Sequence, residues 1–338
     1  MFLDFYGLRE QPFGVTPDPR FLYLSPAHRE ALASTYYGID AGRGFVALIA
    51  KPGMGKTTLL FHLLERFRTS ARTVFLFQTQ CNSREFMRFL LLELGCELHG
   101  QQDVVTMHEE FNRCLLHEAK AGRRFIVVVD EAQNLEPSVL ETVRLLSDFE
   151  TPQAKLLQIV LSGQPELADK LDRPSLRQLR QRISLLSSLA PLSLEEVERY
   201  MNHRLRAAGR ADGPLFTAAA VHMISQLSEG IPRNLNNICF NALSLGCALR
   251  QKTIDVDVVQ QVAADFDLTA LRSEPDISTF DAGTISLATA TPEARSLGAK
   301  RTSIPIRVLA DQQMNPENAL AYLQEIIQRL KNNQPLAN

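Results

Sequence analysis

A glycine-rich loop that ends in lysine and threonine is the first stretch of this sequence that could do chemistry. Residues 45–49 are apolar and predict a buried strand, and residues 59–68 have the apolar spacing of a helix. In a strand–loop–helix unit of this kind, backbone N–H groups surround phosphates, a lysine reaches the β- and γ-phosphates, and a hydroxyl holds Mg²⁺. The sequence therefore predicts a nucleoside triphosphate site. The predicted nucleotide-binding residues of the loop are Pro52, Gly53, Met54, Gly55, Lys56, Thr57 and Thr58, with Thr57 also a metal ligand.

One residue departs from the usual pattern of such a loop. The pattern G-x-x-x-x-G-K-[ST] has glycine at the position where this chain has Ala50. Alanine is the smallest replacement, and it is acceptable if the position does not require a positive φ. We expect this change to affect the rate of turnover more than nucleotide binding.

Two carboxylates follow a second apolar run. Residues 125–129 are all apolar and are followed by Asp130 and Glu131, as in a central parallel strand that delivers acids to the carboxyl edge of a sheet. Asp130 would then lie beside Mg²⁺, and Glu131 would orient the water that attacks the γ-phosphate. A solvated acidic turn is the alternative, and the upstream glycine-rich loop makes it the weaker one.

A third predicted strand, within residues 155–164, presents polar residues at its carboxyl end. Ser162 and Gln164 would lie at the carboxyl end of a strand next to the Asp130 strand. A polar side chain there can hydrogen-bond the γ-phosphate or the attacking water, but a simple turn explains the same residues equally well. The sequence alone leaves both interpretations open.

Arginines in two places could serve a nucleotide site. On a helix, Arg173, Arg177 and Arg180 would share one face, close to Arg182. Three interpretations of this cluster are open. It could form a solvated basic face or a nucleic-acid patch, or it could supply an arginine finger that enters a neighbouring subunit's site. Arg233 follows the helix break at residues 230–232 and so begins a helix, where the dipole disfavours a cation. Its position therefore suggests an anionic partner such as the nucleotide phosphates.

The predicted elements that would position these residues form an α/β fold. Strands are expected at 44–50, 73–79, 124–130, 155–162 and 182–188, with helices between them, which gives a three-layer structure around a parallel sheet. Beyond residue 191 only helices are predicted. The expected divisions are an N-terminal segment packing on the nucleotide-binding core (1–43), the α/β domain (44–190), a small all-helical lid domain (191–268), a flexible linker (269–312) and a C-terminal amphipathic helix (313–338).

Composition narrows the class of protein. The chain has 338 residues, 45% of them hydrophobic, and a net charge of -2, which allows about two domains and provides no global basic field. Its five cysteines have no C-x-x-C spacing, and for Cys239 and Cys247, which lie in an apolar helical stretch, we expect core packing rather than a metal site or disulfide. No signal peptide and no apolar run of transmembrane length is evident. We expect a cytoplasmic protein, with peripheral association at the inner membrane left open.

The order of these motifs resembles that of the AAA+ ATPases, with a Gly-x-x-Arg sequence in the helical lid. The more specific similarity is to the ExeA-like ATPases, also called general secretion pathway protein A, over roughly residues 1–268. The segments that carry it are FYGL at 5–8, QPF at 11–13, TPDP at 16–19, LSPAHREAL at 24–32, VDEAQNL at 129–135, GQPEL at 163–167 and LRQRI at 179–183.

This resemblance implies a role for each motif. Lys56 and Thr57 match the Walker A lysine and the hydroxyl that binds Mg²⁺, while Asp130 and Glu131 match the Walker B pair. ATP and Mg²⁺ are the ligands that the resemblance implies.

The same resemblance implies roles for residues outside the Walker motifs. Ser162 occupies the sensor-1 position, with Gln164 close by, and Arg233 matches sensor 2. Either Arg180 or Arg182 matches the arginine finger. Members of this class usually work as rings or filaments, so the finger would act on the nucleotide of a neighbouring subunit.

Three functions compete at this point. The leading hypothesis is an oligomeric, Mg²⁺-dependent ATPase that drives or regulates assembly of a cell-envelope secretion, pilus or polysaccharide system. Secretion members carry a transmembrane helix and a peptidoglycan-binding region after the ATPase, where we expect here only a linker and one amphipathic helix. That helix could bind its own body or a partner. The third hypothesis, prompted by Ala50, is a nucleotide-binding scaffold or switch with negligible hydrolysis.

The second hypothesis is an ATP-dependent regulator that forms filaments on duplex DNA, like certain transposition regulators. It requires a basic stripe on the surface, and the net acidity of the chain counts against it. The 172–182 cluster could supply that stripe, and so could the lid arginines Arg199, Arg204, Arg206 and Arg210.

Overall fold

The structure is a computed structural model, and it describes residues 2–77, 80–96, 103–150, 155–211 and 213–265. The predicted linker (269–312) and the predicted C-terminal helix (313–338) lie outside the described residues. Within the described ranges, no helix has both the length and the apolar character needed to cross a bilayer.

A five-stranded parallel sheet in the order β2-β3-β4-β1-β5 forms the centre of the larger domain. The three middle strands are almost fully buried, as their continuous apolar runs require when helices cover both faces. All five predicted strands are confirmed, with ends that differ by at most a few residues. The strands are β1 (Phe45–Ile49), β2 (Ala71–Leu76), β3 (Arg124–Val129), β4 (Leu157–Gly163) and β5 (Ile183–Ser188).

Strand register decides which loops become neighbours. Ile49 in β1 lies opposite Gly163 in β4, and Val129 in β3 lies opposite Leu161 in β4. The carboxyl ends of these three strands therefore meet at one edge of the sheet. The glycine-rich loop, the two carboxylates and the polar end of β4 all follow these strand ends.

Helices cover both faces of the sheet. The apolar faces of α2 and α3 pack on one side, and those of α4 to α8 pack on the other, each around its own buried cluster. This is the three-layer arrangement predicted from the sequence. The helices up to this point are α1 (Phe2–Phe5), α2 (Pro26–Asp40), α3 (Lys56–Glu65), α4 (Ser83–Glu93), α5 (Val104–Lys120), α6 (Pro137–Leu146), α7 (Pro165–Leu171) and α8 (Arg177–Arg182).

A second, all-helical unit follows β5. Its first helix begins with a capping box, in which Ser193 and Glu196 each accept a hydrogen bond from the other's backbone N–H. The four helices surround a separate apolar core. They are α9 (Leu194–Ala207), α10 (Ala218–Ser228), α11 (Pro232–Ala248) and α12 (Val256–Asp265).

The N-terminal segment divides between the two units, which differs from the expectation that residues 1–43 pack on the nucleotide-binding core. Helix α2 does pack on the sheet, and a Cβ added at Gly38 would lie only 2.6 Å from Val46 Cγ2. By contrast, Tyr6, Leu8 and Phe13 are buried in the core of the helical unit. The physical reason is that these aromatic and apolar side chains complete a four-helix core too small to close by itself.

Candidate functional site

The glycine-rich loop connects β1 to α3 at the carboxyl edge of the sheet. Gly53 and Gly55 adopt positive φ angles of 78° and 84°, which explains why glycine is needed at both positions. Ala50 does not adopt a positive φ, so alanine causes no backbone strain there. A Cβ added at Gly53 would lie 2.7 Å from Arg233 Cβ, because the helical unit packs directly against the loop.

The ammonium group of Lys56 lies inside this loop. Its Nζ donates to the carbonyl oxygens of Ala50 at 2.9 Å and Lys51 at 3.4 Å. Burial lowers the pKa of Lys56, while the carboxylates of Glu131 and Asp130 act in the opposite direction. The positive charge therefore faces two acids across the edge of the sheet.

Asp130 is the centre of a buried hydrogen-bond network. Its Oδ2 accepts from the Thr57 hydroxyl at 2.7 Å, and its Oδ1 accepts from the Ser162 hydroxyl at 2.7 Å and from the Glu131 N–H at 3.0 Å. A hydroxyl and a carboxylate are hard oxygen donors of the kind that Mg²⁺ prefers. The donor set of Thr57 and Asp130 thus fits the predicted metal.

Glu131 has a strained backbone and a firmly held side chain. Its φ is 52°, in the left-handed region that is uncommon for residues other than glycine. The carboxylate accepts from Gln133 Nε2 at 2.6 Å and from Gln164 Nε2 at 3.0 Å. Burial alone would raise the pKa of Glu131. The two hydrogen bonds and the charges of Lys56 and Arg233 outweigh it, and the pKa lies below its usual value.

The helical unit closes the site from the other side. Helix α11 begins at the loop, and the Arg233 N–H donates to the Gly53 carbonyl at 3.1 Å. Between them lies an open cleft lined by Lys56, Glu131, Arg233 and residues 14–18.

Comparison with known proteins agrees with this geometry. A protein family described as an AAA domain matches residues 39–171. General secretion pathway protein A of Aeromonas hydrophila is 41% identical over 243 residues, which cover 72% of this chain and 44% of that protein. This chain contains an AAA domain. The predicted resemblance to general secretion pathway protein A is confirmed, over less than half the length of that relative.

Solved structures share the fold of this chain. The Aeropyrum pernix ORC2 protein, solved as ADPNP and ADP complexes, has a TM-score of 0.58 at 14% identity, covering 76% of this chain and 71% of that chain. Cdc6p from Pyrobaculum aerophilum has a TM-score of 0.58 at 18% identity, with 75% and 72% covered. At such identities the likeness shows the fold, and it confirms the predicted fold class.

The two predicted finger arginines lie away from the cleft of their own chain. Helix α8 leads into β5, whose first residue Ile183 lies opposite Phe45 at the start of β1. Arg180 and Arg182 are therefore at the amino edge of the sheet, while the P-loop follows the carboxyl end of β1. Neither arginine lines the cleft. Arg173 precedes α8, separated from it by a short 3₁₀ turn, so it does not share the face of that helix as predicted.

Arg180 and Arg182 also differ from each other. Arg182 donates to the Ser147 hydroxyl at 2.9 Å and pairs with Asp148 at 2.5 Å. Arg180 has a longer contact of 3.5 Å with Asp172, and both side chains of that pair are largely solvent-exposed. Of the two, Arg180 is therefore the freer to contact another molecule.

Two of the four lid arginines, Arg204 and Arg210, are not available for the exposed stripe that the DNA hypothesis requires, whereas Arg199 and Arg206 are exposed. Arg204 is buried, and it donates to the Pro12 carbonyl at 2.5 Å and the Tyr200 hydroxyl at 3.0 Å. Its guanidinium also lies 5.0 Å from the centre of the Phe21 ring. Arg204 thus fastens the N-terminal segment to the lid. Arg210 likewise donates to a backbone carbonyl of that segment.

The sequence predicts no role for His28, which lies beneath the glycine-rich loop. Its Nε2 is 3.1 Å from the Met54 carbonyl oxygen, and its Nδ1 is 2.8 Å from the Ser25 hydroxyl. Because a carbonyl can only accept, we assign the ring proton to Nε2 and the acceptor role to Nδ1. Burial lowers the pKa of His28 and so favours this neutral form, although the hydrogen bond to the Met54 carbonyl acts in the opposite direction. The available signal was the helix start at Ser25, three residues earlier.

Proposed function

We propose that this chain binds ATP with Mg²⁺ and hydrolyses it to ADP and phosphate. The observation that carries the proposal is the buried Asp130 carboxylate, which receives hydrogen bonds from the Thr57 and Ser162 hydroxyls beside the ammonium of Lys56. The phosphates would bind at the N-terminus of α3, where free N–H groups and the helix dipole favour anions. Residues 14–18 line the same cleft and would contact the nucleoside.

Thr57 and Asp130 would hold Mg²⁺ through the oxygen atoms that lie 2.7 Å apart. When bound, the ion neutralises negative charge on the phosphates and helps to orient them. Lys56 would bind the β- and γ-phosphates, exchanging its contact with the Ala50 carbonyl for charge-assisted hydrogen bonds. Arg233 would add a second positive charge from the lid.

Glu131 would orient and activate the attacking water. Gln133 and Gln164 keep the carboxylate ionised and fixed, as a group that accepts a proton must be. The water oxygen attacks the γ-phosphorus, the bond to the bridging β–γ oxygen breaks, and the carboxylate accepts a proton from the water. The Ser162 hydroxyl supports this arrangement indirectly, by orienting Asp130.

We further propose that the functional unit is a homo-oligomer in which Arg180 completes the site of a neighbouring chain. The support is positional, since Arg180 lies at the sheet edge opposite to its own P-loop and is freely exposed. An arginine that reaches the γ-phosphate there would stabilise charge in the transition state, which is worth about a thousandfold or more in rate. Arg182 would position the end of α8 through Ser147 and Asp148.

The likeness to general secretion pathway protein A supports a role in assembling or regulating a cell-envelope system from the cytoplasmic side, where ATP is available. The test is ATP turnover by the purified full chain, with and without duplex DNA, together with its mass by light scattering. The proposal expects Mg²⁺-dependent turnover, unaffected by DNA, from an assembly of defined mass. Stimulation by DNA with growth into long assemblies would replace it with the DNA-filament function, and an absence of Mg²⁺-dependent turnover would refute hydrolysis.

A further inference from the structure

Two cysteines and a glutamate come together far from the nucleotide cleft. The Sγ atoms of Cys96 and Cys114 lie 3.7 Å apart. A carboxylate oxygen of Glu110 completes the group, and the three ligand atoms all lie within 4.8 Å of one another. The group does not match a short metal-binding motif, because 13 residues separate Cys96 from Glu110 in the sequence.

We propose that Cys96, Cys114 and Glu110 bind a zinc ion, with the fourth position open to water. Zinc prefers tetrahedral sites with thiolate and carboxylate ligands, and its Zn–S bonds of about 2.3 Å place two thiolates about 3.8 Å apart. The observed sulfur separation is thus already that of two ligands on one zinc ion. A disulfide would need about 2.05 Å, and both thiols are free.

Exposure and charge around the group are compatible with a bound cation. All three residues are partly exposed, so an ion from solution can reach them. Two thiolates and a carboxylate carry three negative charges against the two positive charges of zinc. Arg113, which pairs with Glu110 at 2.6 Å, would offset the remaining charge. Binding releases the two thiol protons to solvent, and no oxidant or reductant is needed.

The ion would connect two helices that cover the sheet. Cys96 lies three residues beyond the end of α4, and the other two ligands are on α5. Both helices contribute to the same buried cluster, through Phe86 and Leu90 in α4 and Phe111 in α5. The site would therefore fix the α4–α5 pair by a metal clip. It does not depend on the proposed ATPase function.

The test is a titration of the reduced, metal-free full chain with Co²⁺ and then with Zn²⁺. A thiolate-to-cobalt charge-transfer band reports sulfur ligation and distinguishes this site from the oxygen ligands Thr57 and Asp130. The proposal expects one Co²⁺ per chain with this band, displacement by Zn²⁺, and a higher Tm in the zinc-bound protein. We expect Cys96→Ser and Cys114→Ser to lose the band, and Glu110→Gln to weaken binding about tenfold. The control variant, Cys247→Ser in α11, should keep both the charge-transfer band and the wild-type affinity for Co²⁺.

A second measurement does not depend on the variants folding. In the wild-type chain, Zn²⁺ should protect two thiols from a thiol-reactive dye. No charge-transfer band, or no protection by Zn²⁺, would overturn the proposal. So would a disulfide between Cys96 and Cys114 that reforms in air while Zn²⁺ is present in excess.

Discussion

The two edges of the sheet are built differently, although both carry polar and charged residues. At the carboxyl edge, Thr57, Ser162 and Asp130 form a buried network with hydrogen bonds of 2.7 Å. At the amino edge, Arg180 is exposed and has one contact of 3.5 Å, with an exposed aspartate. The polar groups at the carboxyl edge are therefore bonded to one another within the chain, whereas the amino edge exposes the guanidinium of Arg180 to solvent.

This difference suggests how the work of catalysis is divided. The carboxyl edge has the acids and the ammonium to which we assign nucleotide binding and water activation, but its cleft does not include the arginines of α8. The amino edge carries those arginines where they cannot reach their own site. Two copies placed edge to edge would bring the two halves together, which is a head-to-tail contact of the kind that builds rings and filaments.

The largest effect is expected from removing the ammonium at the carboxyl edge. Lys56→Ala should weaken ATP binding by about a hundredfold or more and abolish turnover, because the buried ammonium would make the charge-assisted hydrogen bonds to the β- and γ-phosphates. Isothermal titration with ATP measures the loss. Lys120→Ala, an exposed lysine at the end of α5, is the matched control and should bind normally. Unchanged binding by Lys56→Ala would contradict the assignment of the site.

The next effect tests the amino edge. Arg180→Ala should reduce kcat by about a thousandfold while leaving the Kd for ATP within a few-fold, because the arginine acts on a neighbour's transition state. Arg177→Ala, on the same helix and equally exposed, should retain most activity. Steady-state phosphate release measures both. If Arg177→Ala lost the activity and Arg180→Ala kept it, the finger would be assigned to the wrong residue.

A comparable or smaller loss is expected for the group that activates water. Glu131→Gln should bind ATP normally and lose about a hundredfold to ten-thousandfold in turnover, because the amide cannot accept a proton. Glu136→Gln, an exposed glutamate a few residues further on, is the control. Nucleotide binding and single-turnover hydrolysis separate the two steps. Normal turnover by Glu131→Gln would exclude this residue as the base.

The smallest predicted effect concerns the support of that carboxylate. Gln133 donates to the ionised form of Glu131 and so helps to hold its pKa below the usual value. Gln133→Ala should therefore raise the pKa, and activity on acidification should be lost at a higher pH than in the wild type. We expect about a tenfold lower rate at neutral pH from the less fixed carboxylate. The dependence of kcat on pH measures the shift, and a purely structural role for Gln133 would leave that profile in place.

The sheet and its catalytic edge could be predicted because their signals are local. Continuous apolar runs identify buried strands, and parallel strands deliver the residues after them to one edge, as with Asp130 and Ser162. Contacts between distant parts of the chain could not be predicted in this way. Arg204 and Pro12 are separated by 192 residues, and no periodicity links them. Likewise, no pattern in the sequence predicts that the thiols of Cys96 and Cys114 lie 3.7 Å apart.

The most direct test of the shared site is to mix two inactive variants. Glu131→Gln supplies an intact Arg180, and Arg180→Ala supplies an intact Glu131, so neither variant has a complete site by itself. If the site is built from two chains, an equal mixture should recover about a quarter of wild-type turnover, since random neighbours complete one site in four. If Arg180 acted within its own chain, every chain in the mixture would remain defective. Turnover would then stay at the level of the separate variants, which would contradict the account.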